Sequence, residues 1–295
     1  MAPPVAIITG ACSGIGLALT KHLIERQWAV AMLDVNPPKE DVPNTKFFQT
    51  NIASWDEQAA AFKSAYEWHG RLDFAALNAG IDDRDDIFNS ISEEQAKAPR
   101  QPNLLCFEVN LNGTYYGIKL AAHYMRLDSI AAGKPQKGGK IVCTASAAGI
   151  YPIPVAPQYG ASKHALVGLV RSLATGAEER NIRINALCPA LVATNLAPPG
   201  LLDSFSKEQF TPMATMMRAF TELASLEEVG EEGWVETGKN GETVEGNLEE
   251  LIWHQPPPRR EESSYVDEEG IKAWKRAYRD RNIKFAAEDW MGKGL

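Results

Sequence analysis

Cysteine pairs, basic runs and long apolar stretches are all missing from this chain. Its four cysteines, Cys12, Cys106, Cys143 and Cys188, lie far apart and lack paired metal spacing. A disulfide scaffold and a zinc module are thereby excluded, and no metal site is expected. Three of them sit in or beside apolar stretches and read as small buried residues of a reducing compartment, so the expected location is cytoplasmic. The net charge is −8 and no run is strongly basic, which argues against a nucleic-acid partner. No apolar run approaches the roughly 18 residues that span a bilayer. Met1-Ala2-Pro3-Pro4 leads straight into a strand, without the charged and apolar regions of a signal peptide. What remains is 44% hydrophobic and 23% charged over 295 residues, an ordinary globular composition with room for one large α/β domain or two small ones.

What is present is alternation. Val5 to Thr9 reads as a buried strand, Gly10 to Gly16 as a glycine-rich turn and Leu17 to Gln27 as a helix. Strand, glycine turn and helix make a phosphate cradle, because glycines admit a pyrophosphate and a helix start offers free N–H groups. Ala29 to Leu33 forms a second strand ending in Asp34, eighteen residues beyond Gly16. The alternative for Asp34 is a solvated strand end. In this context its carboxylate suits a ribose diol and repels a 2′-phosphate. No Arg or Lys lies between Gly10 and Gly16 or directly after Asp34, so NAD is expected rather than NADP.

Strands follow at Lys46–Thr50, Phe74–Leu77, Lys140–Ala145 and Arg183–Leu187. Ser54-Trp55-Asp56-Glu57 has the form of a capping box and opens a helix to about His69. Ile81 to Asn103 is polar and acidic, a surface excursion with at most a short helix. Leu104 to Arg126 reads as one long helix carrying Asn110 and Asn112, which are unfavourable there unless exposed or partnered. A further helix runs from Tyr159 to about Glu179. This alternation implies a Rossmann-type doubly wound parallel sheet, a three-layer α/β/α fold. Ligands of such sheets bind outside the strands' carboxyl ends. Gly10, Asp34, Asn78, Ser146 and Pro189 all stand at such ends, so they are expected to form one site.

Tyr159 and Lys163 are four residues apart on a helix start and share a face. A tyrosine of pKa about 10 is a poor base at neutral pH. A neighbouring cation favours the phenolate, but lowering the pKa by roughly three units needs about 4 kcal/mol. A second positive charge, such as an oxidised nicotinamide, would help. Ser146, at the end of a buried strand, suits a hydroxyl that orients a substrate oxygen.

In this order and spacing, Thr9-Gly10-x-x-x-Gly14-Ile15-Gly16, Asn78-Ala79-Gly80, Asn110, Ser146, Tyr159-x-x-x-Lys163 and Pro189-Ala190-x-x-x-Thr194 resemble the short-chain dehydrogenase/reductase family over Val5 to Thr194. The resemblance implies a catalytic tetrad of Asn110, Ser146, Tyr159 and Lys163. Tyr159 is its acid/base, Lys163 lowers the phenol's pKa and binds the nicotinamide ribose, and Asn110 holds a relay water. It implies a dinucleotide held by Gly10, Ser13, Gly14, Ile15, Gly16, Asp34, Asn51, Ile52, Asn78, Ala79, Gly80, Pro189, Val192 and Thr194, with Tyr159 and Lys163. Substrate contacts are expected from Ser146, Tyr159 and Ala156. Departures from the family pattern are Asn51 for Asp, Leu77-Asn78 for Asn-Asn and Ala190 for Gly, which tune cofactor affinity. Within the family the chain looks most like fungal proteins similar to 15-hydroxyprostaglandin dehydrogenase, although Ala156 stands where the animal enzyme is expected to carry a substrate-contacting Gln.

The implied reaction interconverts a secondary alcohol and a ketone on a mostly apolar molecule, such as a polycyclic compound or secondary metabolite, and the subunits pair as a dimer or tetramer. The alternatives are an NAD(H)-binding sensor or scaffold without turnover, and a non-redox, cyclase-like use of the same pocket. The prolines of Ile150–Pro157 form either an apolar substrate wall or only the turn into the helix. The methionine-rich stretch within 195–228 is either the substrate lid or a helix packed on the core. Residues 1–253 are expected to form one domain, its last strand within Thr243–Trp253. The tail 254–295 reads either as a peripheral helix or as disordered chain.

Overall fold

A computed structural model describes residues 2–88, 100–198, 200–226, 238–258 and 268–287. Two compact units divide the chain, Met1–His254 and Gln255–Leu295. The first runs β1 (Val5–Thr9), α1 (Gly14–Ile24), β2 (Ala29–Asp34), β3 (Thr45–Gln49), α2 (Trp55–His69), β4 (Phe74–Leu77), α3 (Leu105–Phe107), α4 (Thr114–Met125), β5 (Gly139–Thr144), α5 (Pro157–Glu178), β6 (Ile182–Pro189), α6 (Met213–Ala224), β7 (Thr243–Asn247) and β8 (Glu250–Trp253). The described strands make one sheet in the order β3-β2-β1-β4-β5-β6-β7-β8, parallel except for the antiparallel β7–β8 pair.

Alternate residues of each central strand serve opposite faces. Ala6, Ile8, Val30 and Met32 pack with Leu19 and Leu23 of α1 and Met216, Phe220 and Leu223 of α6. Ile7, Ala31 and Leu33 pack with Phe62 and Ala65 of α2, Ile118 and Ala121 of α4 and Val170 of α5. Burial on both sides explains why β1, β2, β4 and β5 read as continuous apolar runs rather than alternating ones. This is the doubly wound α/β/α arrangement expected from the sequence. Strand order reverses between β1 and β4, which opens a crevice at their carboxyl ends.

Three local expectations change. The final strand is a hairpin, because Leu248 turns the chain with φ +49°. Thr211 accepts its N–H at 3.0 Å, and the Thr215 hydroxyl donates to its carbonyl at 2.7 Å. Ser54 accepts from Glu57 N–H at 3.3 Å, but Glu57 receives the N–H of Asn51 instead of closing the box. The long helix after Leu104 is interrupted by a π-helical turn, Glu108–Gly113, which joins α3 to α4. Such turns within helices mark places where a side chain is needed off the regular register.

α6 places Met216, Met217 and Phe220 in the core, so among the described residues of the stretch 195–228 only Asn195 to Pro198 line the crevice described below. The short helix considered within Ile81–Asn103, the loop Glu227–Gly241 and the end of the tail lie wholly or partly outside the described residues. In the second unit, α7 (Glu268–Ala287) stacks Trp274 against Tyr278 at 5.7 Å. Among the described residues no helix is long and apolar enough to cross a membrane.

Candidate active site

The crevice begins where β1 ends. Gly10 (φ +66°) and Gly14 (φ +49°) adopt backbone conformations that side chains disfavour. A Cβ on Gly16 would lie 2.1 Å from the Gly10 carbonyl oxygen, so only glycine closes this turn. Ser13 precedes α1 and makes no side-chain cap, which leaves the first-turn N–H groups available to an anion. Asp34, at the end of β2, accepts from Cys12 N–H at 3.0 Å and Asn36 N–H at 3.1 Å. The carboxylate is thus fixed against the glycine turn. At β4, the Thr9 hydroxyl receives the N–H groups of Asn78 at 2.9 Å and Ala79 at 3.1 Å, which brings the two strand ends together. A helix start, a bare backbone turn and a fixed acid match the chemistry of a dinucleotide's pyrophosphate and ribose.

The far end of the same crevice, about 670 Å³ in volume, holds Ser146, Tyr159 and Lys163. Ser146 follows β5; its oxygen accepts from Ala148 N–H at 3.1 Å, and its hydroxyl is near enough to the Tyr159 phenol to pull the phenol's pKa down. Lys163 lies one turn after Tyr159, with Nζ 5.4 Å from the phenol ring centroid and donating to the Thr144 carbonyl at 2.9 Å. Burial raises the Tyr159 pKa above its ordinary value; the Ser146 hydrogen bond opposes that, and the Asp82 carboxylate adds to it. Burial therefore outweighs the Ser146 contribution here, and a second positive charge beside the phenol, as considered from the sequence, would favour its ionised form.

Lys163 itself is 3% exposed, and burial pulls its pKa from 10.5 to about 8. Keeping the ammonium charged in that setting costs on the order of 3 kcal/mol. Between pH 8 and 10.5 the unfolded chain binds this proton and the folded chain does not, so stability rises with pH across that window. Lys163→Met is therefore expected to melt several degrees above the parent at pH 7, with the gap closing as pH rises toward 10. Thermal melts at pH 7, 8.5 and 10 check this, and a destabilised variant at pH 7 would count against it.

The crevice brings together Gly10, Ser13, Gly14, Ile15, Asn78, Ala79, Gly80, Ser146, Tyr159, Lys163, Pro189, Val192 and Thr194. Gly16 lies behind the turn. Asp34, Asn51 and Ile52 stand outside the lining; Asn51 accepts from Ala53 N–H, and Ile52 is buried. Ala156 is buried at the start of α5, not in the wall. Asn110 is fully buried in the π-helical turn. Its amide donates to the Ile81 carbonyl at 2.9 Å and the Ser162 hydroxyl at 3.1 Å, and its oxygen accepts from Ile81 N–H at 2.8 Å. Asn110 is thus a partnered, not a surface, asparagine. Asp82, Asp83 and Arg84 also line the crevice and were read as surface residues. The signal was available: they follow Gly80 within four residues at a strand's carboxyl end, where several other site residues stand.

Residues 4–200 match the family model described as short chain dehydrogenase. The short-chain dehydrogenase/reductase prx7 of Penicillium rubens is 32% identical over 76% of this chain and 81% of its own. Human 15-hydroxyprostaglandin dehydrogenase [NAD(+)] is 31% identical over 70% and 72%. Among solved structures, ElxO with NADP bound superposes with a TM-score of 0.64 at 21% identity, covering 83% of this chain and 97% of that one. Turn, crevice and matched length lead to one assignment: this chain is a member of the short-chain dehydrogenase/reductase family of oxidoreductases.

Proposed function

We propose that the protein is an NAD(H)-dependent dehydrogenase or reductase that interconverts a secondary alcohol and a ketone on a mostly apolar molecule. The observation that carries this reading is that Ser146, Tyr159 and Lys163 line one crevice with the glycine turn, the Lys163 ammonium lying beside the phenol ring. In the oxidative direction Tyr159 Oη takes the substrate hydroxyl proton, and Ser146 Oγ holds the substrate oxygen in place. In reduction the same atoms run in reverse. A bound nicotinamide supplies the hydride acceptor or donor, and its oxidised ring the positive charge that the phenol requires. Lys163 binds the ribose beside it, and Asn110 holds the relay water that links Lys163 to solvent.

Leu196, Ala197 and Pro198 in the crevice wall support a lipophilic substrate. A role in secondary metabolism, a cytoplasmic location and a dimer or tetramer belong to the same reading. The test is absorbance of reduced nicotinamide across a panel of lipophilic secondary alcohols and ketones. Silence across the panel despite tight dinucleotide binding favours the sensor or cyclase-like alternatives.

NAD is preferred over NADP because Asp34 holds a carboxylate at the end of β2, fixed by two backbone N–H groups. The name of the prostaglandin dehydrogenase relative points the same way. Asp34→Ala is expected to weaken NAD binding about 10-fold or more, the worth of hydrogen bonds to a charged group, and to narrow the NAD/NADP preference by a similar factor. Titration of both dinucleotides measures this. An unchanged ratio would assign the preference elsewhere.

A further inference from the structure

α5 starts without a cap of its own. Pro157 stands in its first turn and brings no N–H, and Ala156 offers no side-chain acceptor. The next N–H groups, of Gln158 and Tyr159, are both taken by one carboxylate. Asp83 Oδ2 accepts from Gln158 N–H at 3.1 Å, and Asp83 Oδ1 accepts from Tyr159 N–H. A serine or aspartate just before the helix usually does this. Here the acceptor comes from 75 and 76 residues earlier in the chain, three residues after Gly80.

The other side of Tyr159 is held as well. Its carbonyl accepts from the Ser162 hydroxyl at 2.8 Å. The Ser162 oxygen accepts from Asn110 Nδ2 at 3.1 Å, and Asn110 grips both the N–H and the carbonyl of Ile81. Ile81 lies two residues before Asp83. The hydrogen bonds therefore close a ring through Asp83, Tyr159, Ser162, Asn110 and Ile81. The backbone of Tyr159 is fixed at its N–H and its carbonyl by the segment that also walls the crevice.

We propose that Asp83 is the positioning residue for Tyr159, setting the phenol against Ser146 and the crevice from across the chain. The proposal rests on the reading of Tyr159 as acid/base given above. Small errors in placing a reacting group are costly, about 100-fold in rate for roughly 1 Å. A carboxylate that only stopped α5 from fraying would affect melting and leave the rate of the chemical step unchanged.

The experiment combines hydrogen exchange with steady-state kinetics on full-length Asp83→Ala and Asp83→Asn. In Asp83→Ala, exchange at the amides of Gln158 and Tyr159 should rise while the amides of α1 and β5 stay protected. Its kcat should fall about 10- to 100-fold, with the KM for dinucleotide within about twofold. Asp83→Asn retains one acceptor oxygen and should recover most of the lost rate, with intermediate exchange, and it serves as the folded variant if the alanine protein is unstable. Unchanged exchange in either variant overturns the anchor whatever the kinetics show. Raised exchange with kcat within twofold of the parent overturns the positioning role and leaves the oxidoreductase reading intact. If the parent turns over no substrate in the panel, the functional reading and the positioning role fail together, and exchange alone then decides whether Asp83 is an anchor.

Discussion

Replacing Tyr159 by phenylalanine is expected to lower kcat by about 10² to 10⁴, the usual worth of a positioned acid/base, with dinucleotide affinity changed by less than a few-fold. The ring stays, so the contact between Lys163 and its face at 5.4 Å survives, and only the exchangeable proton is lost. Ser146 keeps its acceptance from Ala148 N–H, so the β5–α5 loop should hold its shape. The size of the loss follows from how the phenol is treated: burial holds its proton on, and phenylalanine has no proton to exchange. Stopped-flow measurement of hydride transfer, with isothermal titration of the dinucleotide, separates chemistry from binding. Parent-like rates in this variant would remove Tyr159 from the mechanism, and with it the alcohol–ketone reading.

Gly16→Ala is expected to abolish tight dinucleotide binding, with a loss of about 100-fold or more, equivalent to about 3 kcal/mol. The added Cβ would lie 2.1 Å from the Gly10 carbonyl oxygen and 2.8 Å from its carbon. These are backbone atoms that cannot rotate away, so the turn itself has to move. That displaces the N–H groups at the start of α1 that face the pyrophosphate, and overpacking of this kind also costs about 1–3 kcal/mol of stability. Gly168→Ala, on α5, is the matching control: its Cβ meets nothing within 4 Å, and alanine should stabilise the helix by about 0.5–1 kcal/mol. Melting each variant with and without NAD reads both effects. A Gly16→Ala protein that melts lower but is stabilised by NAD as strongly as the parent would show that the turn is structural rather than a cradle.

The sheet was legible because parallel strands buried on both faces leave runs such as Val5–Ile8 and Ala29–Leu33 that no surface segment imitates. The crevice was legible because most of its residues sit at strand ends, where short-range signals of glycine and apolar pattern coincide. What failed to show were features set by tertiary contact. Leu248 takes a left-handed turn that its sequence does not ask for, held by Thr211 and Thr215 from the segment around α6. Asn110 has a partner 29 residues away, Ile81, that helical periodicity cannot reveal. The desolvation that pushes the Tyr159 pKa up was likewise invisible, because neighbours can be read from spacing while depth of burial cannot.

The π-helical turn also governs how this part of the chain tolerates insertion and deletion. A wide turn of this kind holds surplus chain relative to an α-helix. Excising a residue within Glu108–Gly113 therefore allows Ile118 and Ala121 to keep their phase against the sheet, while Asn110 rotates out of step with Ile81. The body of the protein and the alignment of its phenol answer to different lengths of the same helix, so chain length here can vary at the expense of chemistry before it endangers folding.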